Sequence, residues 1–312
     1  MTDKSGRLPF VSIIEIERFA IHDGPGIRTV VFFQGCPLHC PWCSNPESQK
    51  RGTRLMHLEK RCVTCKQCIN SCPNGLISFR DDKLVFKREA CTACKTCARA
   101  CPREAIRFSG EKAEIPYIME IIKRDKEYYA NSGGGVTFSG GEAFMQHRAL
   151  TELLTRCKEE GIHTAVETSG QTRLENITEA YPLIDLLLYD IKHANKDVLH
   201  KVTGASLDTI LANLDYAAGR DPNKIIIRIP VIPGFNFYTE EIASVFELAR
   251  QRQIKEVHLL PFHTLGKDKY GQLGLSYTFP HNKMLTKEDL FPLQQMGESM
   301  GLHIPLNPFR SP

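Results

Sequence analysis

The sequence lacks the features that mark a membrane protein or a nucleic-acid-binding protein. Its 312 residues contain no apolar run close to the ~18 residues that a membrane-spanning helix needs. The formal net charge is only +4, and no basic run stands out. The first ten residues, MTDKSGRLPF, lack the apolar core of a secretory signal. We therefore expect a cytoplasmic protein that binds neither nucleic acid nor a membrane.

Disulfide bonds are not expected either, although the chain has 12 cysteines. Cytosolic proteins rarely keep disulfides, and eleven of these cysteines fall between positions 36 and 101 in three regular clusters. Such clusters indicate metal binding. The remaining one, Cys157, lies on the apolar face of a predicted helix and is most simply a core thiol.

The first cluster, within GCPLHCPWCSNP at residues 35–46, spaces Cys36, Cys40 and Cys43 as C-x3-C-x2-C. A 4Fe–4S cluster has four irons, so three cysteines leave one iron open to a substrate. The spacing resembles the signature of the radical S-adenosylmethionine (SAM) enzymes, in which SAM occupies the open iron. The alternative is a zinc knuckle whose fourth ligand is His39 or a cysteine from elsewhere.

Two further cysteine runs each read C-x2-C-x2-C-x3-C and end in proline. This doubled pattern is typical of bacterial two-cluster ferredoxins, in which the fourth cysteine of each run serves the other cluster. One predicted 4Fe–4S cluster is held by Cys62, Cys65, Cys68 and Cys101. The other is held by Cys72, Cys91, Cys94 and Cys97. Zinc is the alternative, and a complete ligand set favours electron transfer over substrate binding.

The same segment carries a surplus of positive charge. Residues 59–107 contain 11 Lys and Arg but only 5 Asp and Glu. These cations either offset the negative charge of two thiolate-ligated clusters or form a docking face for an acidic electron donor such as flavodoxin.

Outside the cysteine-rich segment, the hydrophobic pattern predicts strands that alternate with helices. We predict strands at residues 11–18, 29–33, 136–138, 164–167, 185–189, 224–232 and 257–260. We predict helices at residues 115–130, 146–160, 207–218, 240–252 and 287–300. Repeated strand–helix units indicate a parallel sheet with helices outside.

About six such units predict an α/β fold, a partial (β/α)6 barrel of the TIM type. The barrel would comprise residues 1–56 and 111–312. Residues 57–110 would form an inserted, bacterial-ferredoxin-like α+β domain that binds two 4Fe–4S clusters.

Polar residues follow the predicted strands, where barrel active sites lie. The segment from Ser139 to Glu142 reads SGGE and offers approachable carbonyls and a carboxylate to the ammonium of SAM, or else it is a glycine bend. Asp190 and Lys192 leave a strand two positions apart, so both side chains can serve SAM, or form a surface ion pair. Trp42 would wall the adenine or shield the cluster.

Together these motifs resemble the glycyl radical enzyme activating enzymes, a radical SAM family, over nearly the whole chain. The matching stretches are HDGPGIRT (22–29), GCPLHCPWCSNPE (35–47), SGGE (139–142), ETSG (167–170), DIK (190–192) and LLPFHTLGKDKY (259–270). The resemblance implies reductive cleavage of SAM to methionine and a 5′-deoxyadenosyl radical. That radical would abstract hydrogen from one glycine of a partner enzyme. Flavodoxin or ferredoxin would donate the electron.

The resemblance also implies roles for individual residues. Residues expected to contact SAM are Trp42, Cys43, Ser44, Gly140, Gly141, Glu142, Asp190, Ile191, Lys192 and His263. A monovalent cation, Na+ or K+, is expected at Glu167, Thr168, Leu188 and Asp190, although Glu167 stands where some members have aspartate. Asp23 is expected near the incoming glycine loop. The two-cluster insert is typical of activators for glycerol or diol dehydratases, choline lyase, arylacetate decarboxylases and sulfonate lyases.

Two other functions fit parts of this pattern. A radical SAM maturase of peptides or sulfatases also carries extra clusters, but its extra cysteines usually follow the barrel. A ferredoxin-type electron carrier would hold three clusters without binding SAM. Formation of 5′-deoxyadenosine separates carrier from enzyme, and a glycyl radical signal separates activase from maturase.

Overall fold

The structure is a computed structural model that describes residues 10–306 and 309. The first nine residues, on which the expectation about a secretory signal depends, lie outside the described residues. Within the described part, no helix is both long and apolar enough to cross a membrane.

The strands are named in chain order. They are β1 (Phe10–Ala20), β2 (Arg28–Phe33), β3 (Arg54–His57), β4 (Ile77–Arg80), β5 (Lys83–Phe86), β6 (Ile106–Ser109), β7 (Glu111–Glu114), β8 (Gly135–Gly140), β9 (Thr164–Thr168), β10 (Leu186–Asp190), β11 (Ile225–Val231) and β12 (Glu256–Pro261).

Eight of these strands form the main sheet, in the order β12-β11-β10-β9-β8-β2-β1-β7. The six strands from β12 to β2 run parallel, whereas β1 is antiparallel to β2 and β7 is antiparallel to β1. The predicted α/β class with a mostly parallel sheet is therefore confirmed. Since all six parallel strands end at the same edge, the residues that follow them meet there.

The helices are also named in chain order. They are α1 (Gln67–Ser71), α2 (Thr96–Arg99), α3 (Ile115–Arg124), α4 (Lys126–Ser132), α5 (His147–Glu159), α6 (Leu174–Ala180), α7 (Lys196–Thr203), α8 (Leu207–Ala218), α9 (Thr239–Gln251), α10 (Lys267–Leu273) and α11 (Lys287–Ser299). On α5, Leu150, Leu153 and Leu154 are fully buried, which is the i, i+3, i+4 pattern of a helix packed on a core. Cys157 continues that face, and burial raises its pKa to about 12, so it is a core thiol as predicted.

The helix predicted at residues 115–130 is two helices, and the prediction of one helix was wrong. Asp125 interrupts it, with a backbone angle φ of −102° between α3 and α4. The Asp125 carboxylate accepts hydrogen bonds from Nε of Arg18 at 2.9 Å and from Oγ1 of Thr29 at 2.8 Å. These partners lie far away in sequence, so helical periodicity alone could not locate the break.

Residues 54–109 form a small unit of two two-stranded antiparallel sheets, β3 with β6 and β4 with β5. Every feature of its first half recurs at residue numbers higher by 29, so that β3 begins at 54 and β5 at 83. Thr64 and Ala93 share the left-handed backbone conformation, as do Lys66 and Lys95. The two cysteine runs therefore lie in the two halves of one repeated fold. The small unit has its own hydrophobic core, which is separate from the core of the large sheet.

Candidate active site at the carboxyl edge of the sheet

A cavity of about 610 Å³ opens where the six parallel strands end. Its volume lies in the ~300–1,000 Å³ range of small-molecule sites. The cavity is lined by the last residues of β8, β9 and β10, which are Gly140, Thr168 and Asp190, and by the residues directly after β11 and β12, which are Ile232 and Phe262. The cavity therefore lies where the fold concentrates functional residues.

The three cysteines of the first cluster all line this cavity, in the loop after β2. Cys36 and Cys43 are partly exposed to it, and Cys40 is buried. Burial raises the pKa of Cys40 to about 12 and also raises the pKa of Cys36 and Cys43. These thiols therefore hold their protons at neutral pH, and metal binding must release them.

Helix α10 fixes the cysteine loop from outside. Nζ of Lys269 donates to Oε1 of Glu47 at 2.6 Å and to Oδ1 of Asn45 at 2.9 Å. The hydroxyl of Tyr270 donates to the carbonyl of Cys43 at 3.2 Å. The hydrogen bonds of Lys269 and Tyr270 give the GKDKY stretch a structural role, which the sequence alone did not indicate.

The two glycines after β8 are required by close packing against the start of the cysteine loop. Gly140 has a φ of +111°, and a Cβ on it would lie 2.3 Å from the backbone nitrogen of Phe33. A Cβ on Gly141 would lie 2.3 Å from the carbonyl oxygen of Gly35, next to Cys36. Both glycines also line the cavity, so they form part of its wall and also allow the cysteine loop to pack closely against them.

Glu142 lies behind the cavity wall instead of in it, because its carboxylate is used inside the protein. It accepts from Oγ1 of Thr168 at 2.7 Å and from the amide and hydroxyl of Ser169 at 2.9 and 2.7 Å. Burial raises its pKa, and these hydrogen bonds oppose that rise. Glu142 thus joins the end of β8 to the end of β9 and does not line the cavity in the described structure, so its contact with SAM stays a prediction.

Asp190 and Lys192 line the cavity as a pair, with Nζ of Lys192 donating to Oδ2 of Asp190 at 2.7 Å. Their side chains are only 16% and 14% exposed, so this is not a surface ion pair. Burial lowers the pKa of Lys192, but Asp190 and Cys40 outweigh it and the pKa is raised overall. The lysine therefore stays charged. Oδ1 of Asp190 is buried and has no hydrogen-bond partner among residues 10–306 and 309.

Trp42, Ser44 and His263 also line the cavity, and their contacts with SAM stay predictions. Trp42 packs against Phe235 with ring centroids 4.6 Å apart. Its position in the cavity wall and in the core is compatible with both alternatives, walling the adenine and shielding the cluster.

The structure does not bring every expected residue to the cavity. Ile191 and Leu188 are buried, and in the described structure neither lines it. Asp23 lies beside the rim, where its carbonyl accepts from Oγ1 of Thr137, and its neighbour His22 reaches the cavity.

Arg228 is the cavity residue that sequence reasoning missed. It lies on β11, is 8% exposed, and places Nη1 3.2 Å from Oε1 of Glu167. Burial lowers its pKa, but Glu167 and Asp190 raise it overall, so it stays charged. The signal was an arginine inside the apolar strand IIIRIPV, where a charge needs a partner.

The small unit contains two further cavities. One is lined by a set of four cysteines, Cys62, Cys65, Cys68 and Cys101. The other is lined by the set Cys72, Cys91, Cys94 and Cys97. Each cavity thus combines three cysteines of one run with the fourth cysteine of the other. Apolar side chains, together with lysine and arginine, complete its walls.

Comparisons with known proteins agree with this geometry. The family model described as a 4Fe-4S single cluster domain matches residues 22–202, more than half of the chain. The solved structure of SuiB from Streptococcus suis bound to the precursor peptide SuiA has a TM-score of 0.56 at 13% identity. It covers 90% of this chain and 48% of that one, and at this identity it shows the fold alone.

Two curated relatives cover most of the chain. The choline trimethylamine-lyase activating enzyme of Oleidesulfovibrio alaskensis is 39% identical over 285 residues, 89% of this chain and 92% of that protein. The (2S)-3-sulfopropanediol sulfolyase activating enzyme of Bilophila wadsworthia is 41% identical over 269 residues, 85% and 89% of the two chains.

Similarity of this extent, together with a cysteine loop at the carboxyl edge of a parallel sheet, makes this a radical SAM enzyme. Within that class, the chain belongs to the glycyl radical enzyme activating enzymes. It is an oxidoreductase that uses SAM and a 4Fe–4S cluster to generate a glycyl radical in a partner enzyme.

Proposed function

We propose that Cys36, Cys40 and Cys43 hold the catalytic 4Fe–4S cluster and that SAM binds beside it in the same cavity. The observation that carries this proposal is the meeting of three cysteine thiols with polar atoms that have no hydrogen-bond partner in the described structure, in one cavity of about 610 Å³. Three ligands leave one iron for SAM. When bound, the cluster supplies the electron that cleaves the sulfonium of SAM.

The residues around the cysteines fit the groups that SAM carries. Lys192 is charged and donates to the carboxylate of Asp190, so it can also pair with the carboxylate of SAM. Oδ1 of Asp190 has no partner in the described structure, so it can accept hydrogen bonds from the ribose hydroxyls. The glycines at 140 and 141 leave backbone carbonyls approachable for the ammonium. His263 and Trp42 complete the wall.

The reaction needs positioning rather than acid–base chemistry. One electron and SAM give methionine and a 5′-deoxyadenosyl radical, which takes one hydrogen atom from the glycine α-carbon of the partner. The products are 5′-deoxyadenosine and a glycyl radical, so no proton has to move in the abstraction. The chain's task is to hold the reacting atoms close and to exclude water. His22 and Asp23 at the rim would meet the glycine loop.

We assign the two cysteine-lined cavities of the small unit to two further 4Fe–4S clusters, in a ferredoxin-type domain at residues 57–110. The pairing of the cysteines in each cavity supports this assignment, because ligands are exchanged between the runs. With no open iron, these clusters would pass electrons from flavodoxin or ferredoxin toward the cavity.

The partner is a glycyl radical enzyme, and the chain does not specify which. The relatives act on partners with unrelated substrates, choline in one case and a sulfonate in the other, as their names state. This variety fits a site that touches only the glycine loop of its partner.

The test is anaerobic reconstitution with iron and sulfide, followed by reduction and addition of SAM. We expect 5′-deoxyadenosine and methionine, and a glycine-centred doublet in the electron paramagnetic resonance (EPR) spectrum when the glycyl radical enzyme encoded beside this chain is added. A reconstituted protein that holds three clusters but makes no 5′-deoxyadenosine would be an electron carrier, and the proposal would be wrong.

A further inference from the structure

The residues at which the family resemblance implies a monovalent cation are already engaged with each other and with their neighbours. Oε2 of Glu167 accepts from the hydroxyl of Ser139 at 2.5 Å, and its Oε1 lies 3.2 Å from Nη1 of Arg228. Oγ1 of Thr168 donates to Glu142 at 2.7 Å and accepts from the amide of Gly170 at 2.9 Å. Oε2 of Glu167 and Oγ1 of Thr168 are therefore used within the protein, and Oε1 of Glu167 faces a positive charge of the chain itself.

Among the side chains of the other two residues, a single oxygen has no partner in the described structure. Leu188 is fully buried in β10, between Glu167 on β9 and Ile226 on β11. Oδ2 of Asp190 accepts from Lys192, which leaves only Oδ1 of Asp190. Cations that prefer oxygen ligands take several at once.

A positive charge is nevertheless present beside Glu167 and Asp190, and it is the guanidinium of Arg228. Arg228 pairs with Asp190 in the register of β10 and β11, and its side chain lines the same cavity. Its Nε and Nη1 are buried and have no hydrogen-bond partner in the part of the chain that the structure describes. The carboxylates of Glu167 and Asp190 therefore have a fixed positive neighbour.

The length of Glu167 explains the arrangement. Its carboxylate, one methylene farther from the backbone than that of an aspartate, reaches Ser139 on β8 and Arg228 on β11. Glutamate at this position thus links two strands that flank β9 and β10, and it uses the oxygens that an ion would need.

We propose that Arg228 supplies the positive charge between Glu167 and Asp190, and that SAM binds to this chain without a monovalent cation. The inference rests on the proposed SAM site, and it replaces the Na+ or K+ implied by the family resemblance with a residue of the chain.

The experiment measures the dissociation constant of SAM for the anaerobically reconstituted protein in NaCl, KCl and tetramethylammonium chloride at equal ionic strength. For the wild type we expect the same constant in all three salts. For Arg228→Gln we expect binding about tenfold weaker in tetramethylammonium, the effect of one charged interaction, with partial recovery in KCl or NaCl. Arg228→Lys, which keeps the charge, should stay independent of the salt.

If a small cation restores SAM binding to Arg228→Gln, the weaker binding was caused by the missing charge, because a general folding defect would not be reversed in this way. The iron content and melting temperature of each variant are measured in parallel. The wild-type measurements in the three salts test the inference independently of any variant. Wild-type binding that is about fivefold or more tighter in KCl or NaCl than in tetramethylammonium would overturn the inference and leave the proposed function intact. Unchanged, salt-independent binding by Arg228→Gln would also overturn it. Absence of SAM binding in every salt would instead contradict the proposed function.

Discussion

The large cavity and the two small ones are built from the same ligand, cysteine, but differ in what surrounds it. The large cavity has three cysteines beside Asp190, Lys192 and Arg228. Each small cavity has four cysteines, apolar residues such as Ile77 in one and Ile106 in the other, and lysine and arginine but, within the described structure, no acidic residue in its lining. An open coordination position among charged groups suits a charged substrate, whereas a saturated cluster suits electron transfer alone.

The support around the cysteines differs in the same way. The small unit repeats two strands and one short helix, and it holds its cysteines by backbone geometry within 56 residues, from Arg54 to Ser109. The large cavity gathers its residues from strand ends spread over most of the chain, with α10 fixed on the cysteine loop. On the proposed assignment, substrate binding would depend on long-range contacts that electron transfer would not need. Four substitutions test this difference.

The largest expected effect is that of Cys36→Ala. It removes one of three ligands from the open cluster, so we expect no 5′-deoxyadenosine, while the iron of the small unit remains. The assay is product formation with a strong chemical reductant, together with the iron content. Cys157→Ala, which removes a core thiol, is the matched control and should keep the activity. Product formation by Cys36→Ala would show that this loop does not hold the catalytic cluster.

Gly141→Ala should have the second largest effect. Its Cβ would lie 2.3 Å from the carbonyl of Gly35, so the cysteine loop must shift, at a cost of about 1–3 kcal/mol typical of overpacking. We expect weaker SAM binding and loss of iron from the large cavity. Gly271→Ala on α10, where an added Cβ meets nothing within 4 Å, is the control. If both variants bind SAM equally well, the close packing has no functional role.

Cys65→Ala should affect only the supply of electrons. Cys65 is exposed and lines a small cavity, so its loss should leave SAM binding intact. We expect near wild-type 5′-deoxyadenosine formation with a strong chemical reductant and slow formation with reduced flavodoxin. Rates measured with both reductants in the same preparation check this. Equal rates with flavodoxin in the variant and the wild type would remove the small unit from the electron path.

Tyr270→Phe should have the smallest effect. It removes one hydroxyl whose hydrogen bond to the carbonyl of Cys43 is 3.2 Å long, and a typical hydrogen bond contributes about 1 kcal/mol to stability. We expect the dissociation constant of SAM to rise by less than tenfold, the factor that corresponds to about 1.4 kcal/mol. Equilibrium binding of SAM measures it. A complete loss of binding would mean that α10 does more than steady the loop.

Much of this molecule could be predicted from sequence because its strongest signals are local. Cysteine spacing defined the three groups of ligands, and alternating strand and helix patterns gave the parallel sheet. The motifs that follow the strands gave Gly140, Gly141, Asp190 and Lys192, all of which line the cavity. Each signal lies within a few residues and follows from the chemistry of the residues themselves.

The features that were missed depend on contacts between distant residues. Arg228 acquires its meaning only from Glu167 on another strand, and Asp125 breaks a helix because of Arg18 and Thr29. Glu142 looked like a ligand, yet the adjacent strand end uses its carboxylate. Short segments such as α6, α7 and α10 were also missed, because seven or eight residues carry too little periodicity.

The most direct test of the central claim is the EPR spectrum of the reduced protein before and after addition of SAM. SAM should change the signal of one cluster, that change should be absent in Cys36→Ala, and it should persist in Cys65→Ala. A spectrum that SAM leaves unchanged, or a change that survives in Cys36→Ala, would contradict the assignment of the three-cysteine loop as the site where SAM meets iron.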